Sequence, residues 1–146
     1  MNHDPSVILA YHRVLPKNSG DLAYIQPGMY VTVETFERHM SFISKKFRVM
    51  RLEDLMHDPK PKNACIVTFD DGWVDNYYYA FPILKKYEIP ATIFISTNKV
   101  GTHEWPWPDR IAYYVHSIPV KEFVYAMNAT LQRLGLEHHR LGFKNQ

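Results

Sequence analysis

The apolar positions of this chain fall into short runs set apart by polar stretches bearing Gly and Pro, and the runs differ in period. Val7-Ile8-Leu9-Ala10-Tyr11 is a continuous apolar run and predicts a strand. It ends at His12-Arg13-Val14. Pro16 and Asn18-Ser19-Gly20 then supply turn chemistry, and residues 15–30 have no clear period, so they read as loop. Thr32 suits an N-cap. Beyond it Phe36, Met40, Ile43 and Phe47 recur at steps of four, three and four, one face of a helix over about 33–46. His39 lies beside that face and reads as a partly buried structural residue. Residues 47–52 read as a short strand and 53–57 as a single helical turn. Asp58-Pro59-Lys60-Pro61-Lys62-Asn63 is a surface loop.

The next run is the centre of the chain. Cys65-Ile66-Val67 leads through Thr68 and Phe69 into Asp70 and Asp71, and Gly72 breaks the pattern. A short β-branched run closed by Gly predicts a buried strand, about 64–69, that ends in a turn. Residues 74–80 read as a turn or short helix. Pro82 fits the first turn of a helix over about 81–87. Residues 91–95 form another β-branched strand, and 96–107 a long loop with Gly101 and Pro106. A helix follows from Pro108 or Asp109 to about His116. A further amphipathic helix spans 120–134, with Phe123, Met127, Thr130, Leu131 and Leu134 on one side and Gly135 as its stop. The polar tail, 137–146, is expected to fray.

Strands alternating with helices predict an α/β fold with mainly parallel strands, in an open sheet or a barrel. A complete (β/α)₈ barrel needs roughly 200 to 250 residues. The 146 residues here hold about half of one and read as a single domain, 1–146.

Composition narrows the function classes. Hydrophobic content of 46% and charged content of 22% suit a globular protein with a real core. The net charge is +2 with acids and bases interspersed, so there is no clustered basic face of the kind a nucleic-acid partner needs. A lone cysteine, Cys65, excludes an intramolecular disulfide and sits in an apolar strand, a packing position. No segment has the length of a membrane-spanning helix, and residues 1–6 are polar, unlike a signal peptide. The chain as written is expected in the cytoplasm, or exported if a leader was removed.

Asp70 and Asp71 end a buried strand, where α/β enzymes keep their chemistry. Neighbours in a strand point to opposite faces, so the two acids share a task only if the turn at Gly72 swings both inward. Two carboxylates in one pocket repel, and a cation beside them removes the repulsion. One as metal ligand and the other as base toward water is a sensible division of labour. Capping of the following turn is the plain structural alternative. His12 ends the first strand as the acids end the central one. If those strands are parallel neighbours, all three residues share one rim. Phosphoryl transfer is less favoured, since alternating acids, D-x-D, would put both on one face.

Thr68 to Gly72, T-F-D-D-G, resembles the first motif of the polysaccharide deacetylases, the carbohydrate esterase family with the NodB homology domain. Ile8 to Val14 (I-L-A-Y-H-R-V), Phe81 to Lys86 (F-P-I-L-K-K), Pro90 to Ser96 (P-A-T-I-F-I-S) and residues 36–55 resemble the same family in the same order. The resemblance runs from about residue 7 to 110. It implies a distorted (β/α) barrel, partial here, a divalent ion that is usually Zn²⁺, and hydrolysis of acetyl groups, most often N-acetyl, on a carbohydrate substrate. It also implies that Asp70 is the catalytic base and Asp71 a metal ligand, with a backbone N–H beyond Gly72 holding the oxyanion. Tyr11-His12 is similar to an early Y-H motif in circularly permuted relatives, the poly-N-acetylglucosamine deacetylases, and makes His12 the general acid. Trp and Tyr near a cleft would suit stacking on sugar rings.

The family's later motifs, including those that shape the acetyl pocket, are not evident. The family completes its metal site with H-[ST]-x-x-H, and the histidines here, at 3, 12, 39, 57, 103, 116, 138 and 139, include no two that are four apart. The expectation is an incomplete zinc site with weak or no zinc binding by the chain alone. The alternative to an enzyme is a truncated or degenerate deacetylase-like domain without activity. Open barrel edges predict self-association.

Overall fold

A computed structural model describes residues 5–142; His3 and positions 143–146 of the expected tail lie outside them. The described residues form two compact units, 5–22 with 26–103 and 23–25 with 104–142.

The first unit is built on β5, Ala64–Phe69, which is buried along its whole length. Burial on both faces is the rule for a central parallel strand and accounts for its unbroken apolar sequence. β1, Val7–Tyr11, pairs with one side of β5. β4, Arg48–Met50, and β6, Ala91–Ile93, divide the other side: β4 lies along Ala64 to Ile66, β6 along Val67 to Phe69. All of these pairings are parallel, and the four strands form an open sheet, not a closed barrel. The α/β architecture with parallel strands is therefore as expected.

Alternation along β5 sorts its side chains between two clusters. Cys65, Val67 and Phe69 pack with Phe36, Met40 and Ile43 of α1, Val33–Lys46, and with Ile83 and Leu84 of α2, Phe81–Lys86. Ala64 and Ile66 face Met50, Leu52 and Leu55. Thr32 caps α1 as its position predicts, its hydroxyl oxygen accepting from Thr35 N–H at 3.2 Å. Tyr11, Phe36 and Phe69 form an aromatic triangle with centroid separations of 5.1, 5.6 and 5.8 Å. Each such pair adds about 1 kcal/mol to the area it buries. Tyr11 and Phe69 are also register partners, so the triangle fixes the ends of β1 and β5 together.

The stretch expected to be loop, 15–30, is bounded by a second sheet. β2, Arg13–Leu15, pairs in parallel with β3, Tyr30–Thr32. Val14 and Leu15 are buried. Three-residue strands carry too few positions to show a period, and Pro16 closes the first at once. Residues 76–80, expected as turn or short helix, form a π-helical turn leading into α2. β4 and β6 are shorter than their apolar runs, although Phe94 N–H still bonds to Phe69 O at 2.8 Å.

The second unit contains α3, Trp107–Ser117, and α4, Val120–Arg133. Tyr113 meets Tyr24 and Trp105 edge-on at 5.3 and 5.6 Å. Gly135, at φ +69°, ends α4, with Leu136 N–H returning to Leu131 O at 2.8 Å. The described part of the tail is tied back at Leu141. The Asn128 side chain accepts from Leu141 N–H at 2.8 Å and donates to Leu141 O at 3.0 Å. A side-chain amide matching both backbone groups of one residue is a long-range clasp that local composition does not reveal. Among the described residues no helix is long and apolar enough to cross a membrane.

Candidate active site

Register builds the rim. Tyr11 pairs with Phe69, the last pair of the β1–β5 ladder, and Asp70 N–H donates to Tyr11 O at 2.9 Å. The residues that follow, His12 and Asp70, therefore emerge side by side. His12 Nε2 stands 3.8 Å from Asp70 Oδ2, with the side chains 28% and 40% exposed, so both are anchored yet open to a substrate. At 3.8 Å the two groups are in close approach but beyond hydrogen-bond reach.

Asp71 is placed differently. β5 ends at Phe69, so strand alternation no longer governs the acids. Asp71 has φ +70° and Gly72 φ +71°. Asp is among the few residues that tolerate the left-handed region, and Gly adopts it freely. Two left-handed residues in succession turn the chain sharply away from the strand. Asp71 is exposed at that turn. A Cβ on Gly72 would stand 2.8 Å from Ile95 Cγ2, so the turn packs closely on the chain following β6.

A buried carboxylate that sequence reasoning missed holds both segments of the rim. Asp75 is 3% exposed. Its Oδ2 accepts from Arg13 Nε at 2.9 Å and its Oδ1 from Val14 N–H at 2.9 Å. The Arg13 guanidinium also lies over the Trp73 ring, 4.3 Å from its centroid. The only cue in sequence was the polar pair Asp75-Asn76 at the head of an aromatic run, Tyr77-Tyr78-Tyr79. Asn76, also 3% exposed, has no hydrogen-bond partner among the described residues for either its Oδ1 or its Nδ2.

Beneath the rim, Tyr11 O–H meets His39 Nδ1 at 3.0 Å. Burial, reinforced by Cys65 nearby, pushes the Tyr11 phenol up to about 12. Burial likewise raises the Cys65 thiol, which keeps it an inert packing group. His39 is exposed rather than partly buried, but its bond to Tyr11 makes it structural as expected.

A groove of about 730 Å³ opens beside the acid turn, lined by Gly72, Trp73, Asn76, Phe81, Ile93 and Ile95 among others. A hollow of about 810 Å³ beside Glu34, Arg38 and Ser41 of α1 is lined by none of the rim residues. The zinc ion implied by the resemblance does not find a complete site. Among the described residues no group of three or more His, Cys, Asp or Glu could hold a metal, whereas catalytic zinc takes about three protein ligands. The geometry brings His12 and Asp70 together and puts Asp71 on the adjoining turn, and among the described residues no group of three metal-ligating side chains forms there.

A family model described as polysaccharide deacetylase matches residues 57–142. The chain is 35% identical over 100 residues to YxkH of Bacillus subtilis (strain 168), covering 64% of this chain and 33% of that protein. It is 33% identical over 110 residues to the poly-beta-1,6-N-acetyl-D-glucosamine N-deacetylase of Staphylococcus epidermidis, covering 66% of this chain and 38% of that one. Among solved structures it resembles IcaB from Ammonifex degensii, with 30% identity and a TM-score of 0.56 over 70% of this chain and 42% of that one. The chain thus spans about a third of the length of the curated relatives it matches.

Proposed function

Because the chain belongs to the polysaccharide deacetylase family, we propose that it carries the acid–base pair of a carbohydrate N-deacetylase, with Asp70 as general base and His12 as general acid. The observation that carries this reading is the 3.8 Å contact of His12 with Asp70 on a rim set by parallel register. Support for the substrate class comes from the poly-N-acetylglucosamine deacetylases among the relatives.

In this reading a water molecule attacks the carbonyl carbon of an N-acetyl group. Asp70 takes the proton from the water as the new C–O bond forms. The carbonyl oxygen becomes an oxyanion, which a backbone N–H beyond Gly72 receives. The tetrahedral centre then collapses, the C–N bond breaks, and His12 gives its proton to the departing amine. Acetate and a free amino sugar are the products. At 3.8 Å the two groups are beyond direct hydrogen-bond reach, so the proton on Asp70 returns to His12 through a bridging water, and the pair is reset.

Asp71 is the chain's own candidate ligand for a divalent ion, whose contribution would be to polarise the acetyl carbonyl. The described residues do not complete such a site. That same observation favours a second reading, a deacetylase-like segment that binds carbohydrate without turnover. Calorimetric titration with zinc tests the second reading. Weak or absent binding by this chain is expected from either. Tight binding would contradict the second reading and require ligands beyond Asp71.

The test of the substrate class is acetate release from N-acetylglucosamine oligomers against O-acetylated xylan, using a version that carries the full set of metal ligands. Release from the oligomers is expected. Release from xylan alone would overturn the N-acetyl assignment.

A further inference from the structure

We propose that Asp75 is a positioning residue of the candidate site, holding the His12 imidazole in reach of Asp70 by fixing the backbone on the far side of His12. The proposal rests on the acid–base reading of His12 and Asp70 and adds a residue to it.

His12 is a single residue between two fixed points. On its N-terminal side Tyr11 is pinned by the β1–β5 register and by the aromatic triangle with Phe36 and Phe69. On its C-terminal side the backbone runs straight into Arg13 and Val14, and both are held by one carboxylate. Asp75 Oδ1 accepts from Val14 N–H and Oδ2 from Arg13 Nε, each at 2.9 Å. A chain anchored immediately before and after one residue leaves that residue's φ and ψ little freedom. Its side chain then projects in a set direction.

The same carboxylate also belongs to the acid side of the rim. Asp75 follows the turn made by Asp71 and Gly72, and Trp73 within that segment lies under the Arg13 guanidinium at 4.3 Å. Arg13 and Asp75 therefore join the segment carrying His12 to the segment carrying the acids. The pair is well protected from water, with side chains 12% and 4% exposed. An ion pair that dry is held firmly, because separating it strands a charge out of solvent. Neither residue is placed to touch substrate in the scheme above, so their effect passes through His12.

The test is a nuclear magnetic resonance measurement on the whole chain that needs no turnover. In the unmodified protein, His12 ring protons should show cross-peaks to the Asp70 β-protons and couplings of a single χ1 rotamer. In Asp75→Asn these cross-peaks should be lost and the couplings averaged, while Tyr11–Phe69 ring cross-peaks persist. A purely structural Asp75 would lower the melting temperature and leave the His12 rotamer unchanged, which would overturn the proposal. If Asp75→Asn does not fold, Arg13→Gln/Asp75→Asn removes both charges and asks the same question. A third arm needs no variant: a rigid Arg13 Nε–H in relaxation measurements is expected, and a freely averaging one overturns the clamp. The arms are separable from the functional reading. Loss of the His12–Asp70 contact in the variant with no deacetylation in any version would sink the acid–base reading alone. Activity with a contact indifferent to Asp75 would sink this inference alone.

Discussion

Asp70 N–H donates to the carbonyl of Tyr11 at 2.9 Å, one step past the final register pair of β1 and β5. This bond extends the parallel ladder just far enough to set His12 beside Asp70. The candidate site is thus a product of strand register before it is a product of loop conformation. A one-residue slip of β1 against β5 would part the two residues and invert the buried face of β1 together.

The turn that carries Asp71 depends on Gly72. Gly72 has φ +71°, and an added Cβ would stand 2.8 Å from Ile95 Cγ2. Gly72→Ala should destabilise the chain by about 1 to 3 kcal/mol through backbone strain and overlap. Adding Ile95→Ala should relieve the overlap and leave the strain, recovering only part of the loss. Urea denaturation measures both, and an unchanged midpoint in Gly72→Ala would contradict the geometry.

Tyr11 makes stability depend on alkaline pH. Burial raises its phenol from an ordinary value near 10 to about 12, so the folded chain keeps that proton when the unfolded chain has lost it. The folded state binds more protons above pH ~10, and stability therefore falls as pH rises. The contribution is full below pH ~10 and is lost between about 10 and 12, at most roughly 2 to 3 kcal/mol. Chemical denaturation across that range should show a steeper fall for the unmodified chain than for Tyr11→Phe. Identical slopes would mean that the phenol is not held neutral by the fold.

Asn76 carries a cost that a substitution should remove. Its Oδ1 and Nδ2 are buried with no hydrogen-bond partner among the described residues. An unsatisfied buried amide costs about 1 to 3 kcal/mol, and an apolar side chain of similar shape avoids that cost. Asn76→Leu should leave the melting temperature unchanged or raise it. A large fall would show that the amide has a partner in solution.

Sequence patterning made the central element legible because β5 is buried on both faces and so carries an unbroken apolar run. α1 was legible for the complementary reason: one face packs on the core, and Phe36, Met40 and Ile43 mark it every three or four residues. The two short strands β2 and β3 were not, since three residues carry no period. The site was legible to the extent that it followed from strand ends. His12 and Asp70 were paired from the expectation that β1 and β5 are parallel neighbours, and the register bears that out. Asp75 and Asn76 were not found, because a buried Asp looks like any turn residue until the fold brings Arg13 to it across 62 positions. The acids were expected to diverge by strand alternation unless the turn at Gly72 swung both inward; the left-handed backbone at Asp71 and Gly72 replaces alternation with a turn.

The central claim is that Asp70 is the base that activates water, assisted by His12 as acid. The direct measurement is acetate release from N-acetylglucosamine oligomers by a version with a complete metal site, compared with its Asp70→Asn and His12→Asn variants, each checked for fold and metal content. The account predicts a loss of kcat of about a hundred- to ten-thousand-fold in each variant, with metal still bound. Acetate release undiminished in Asp70→Asn would contradict it.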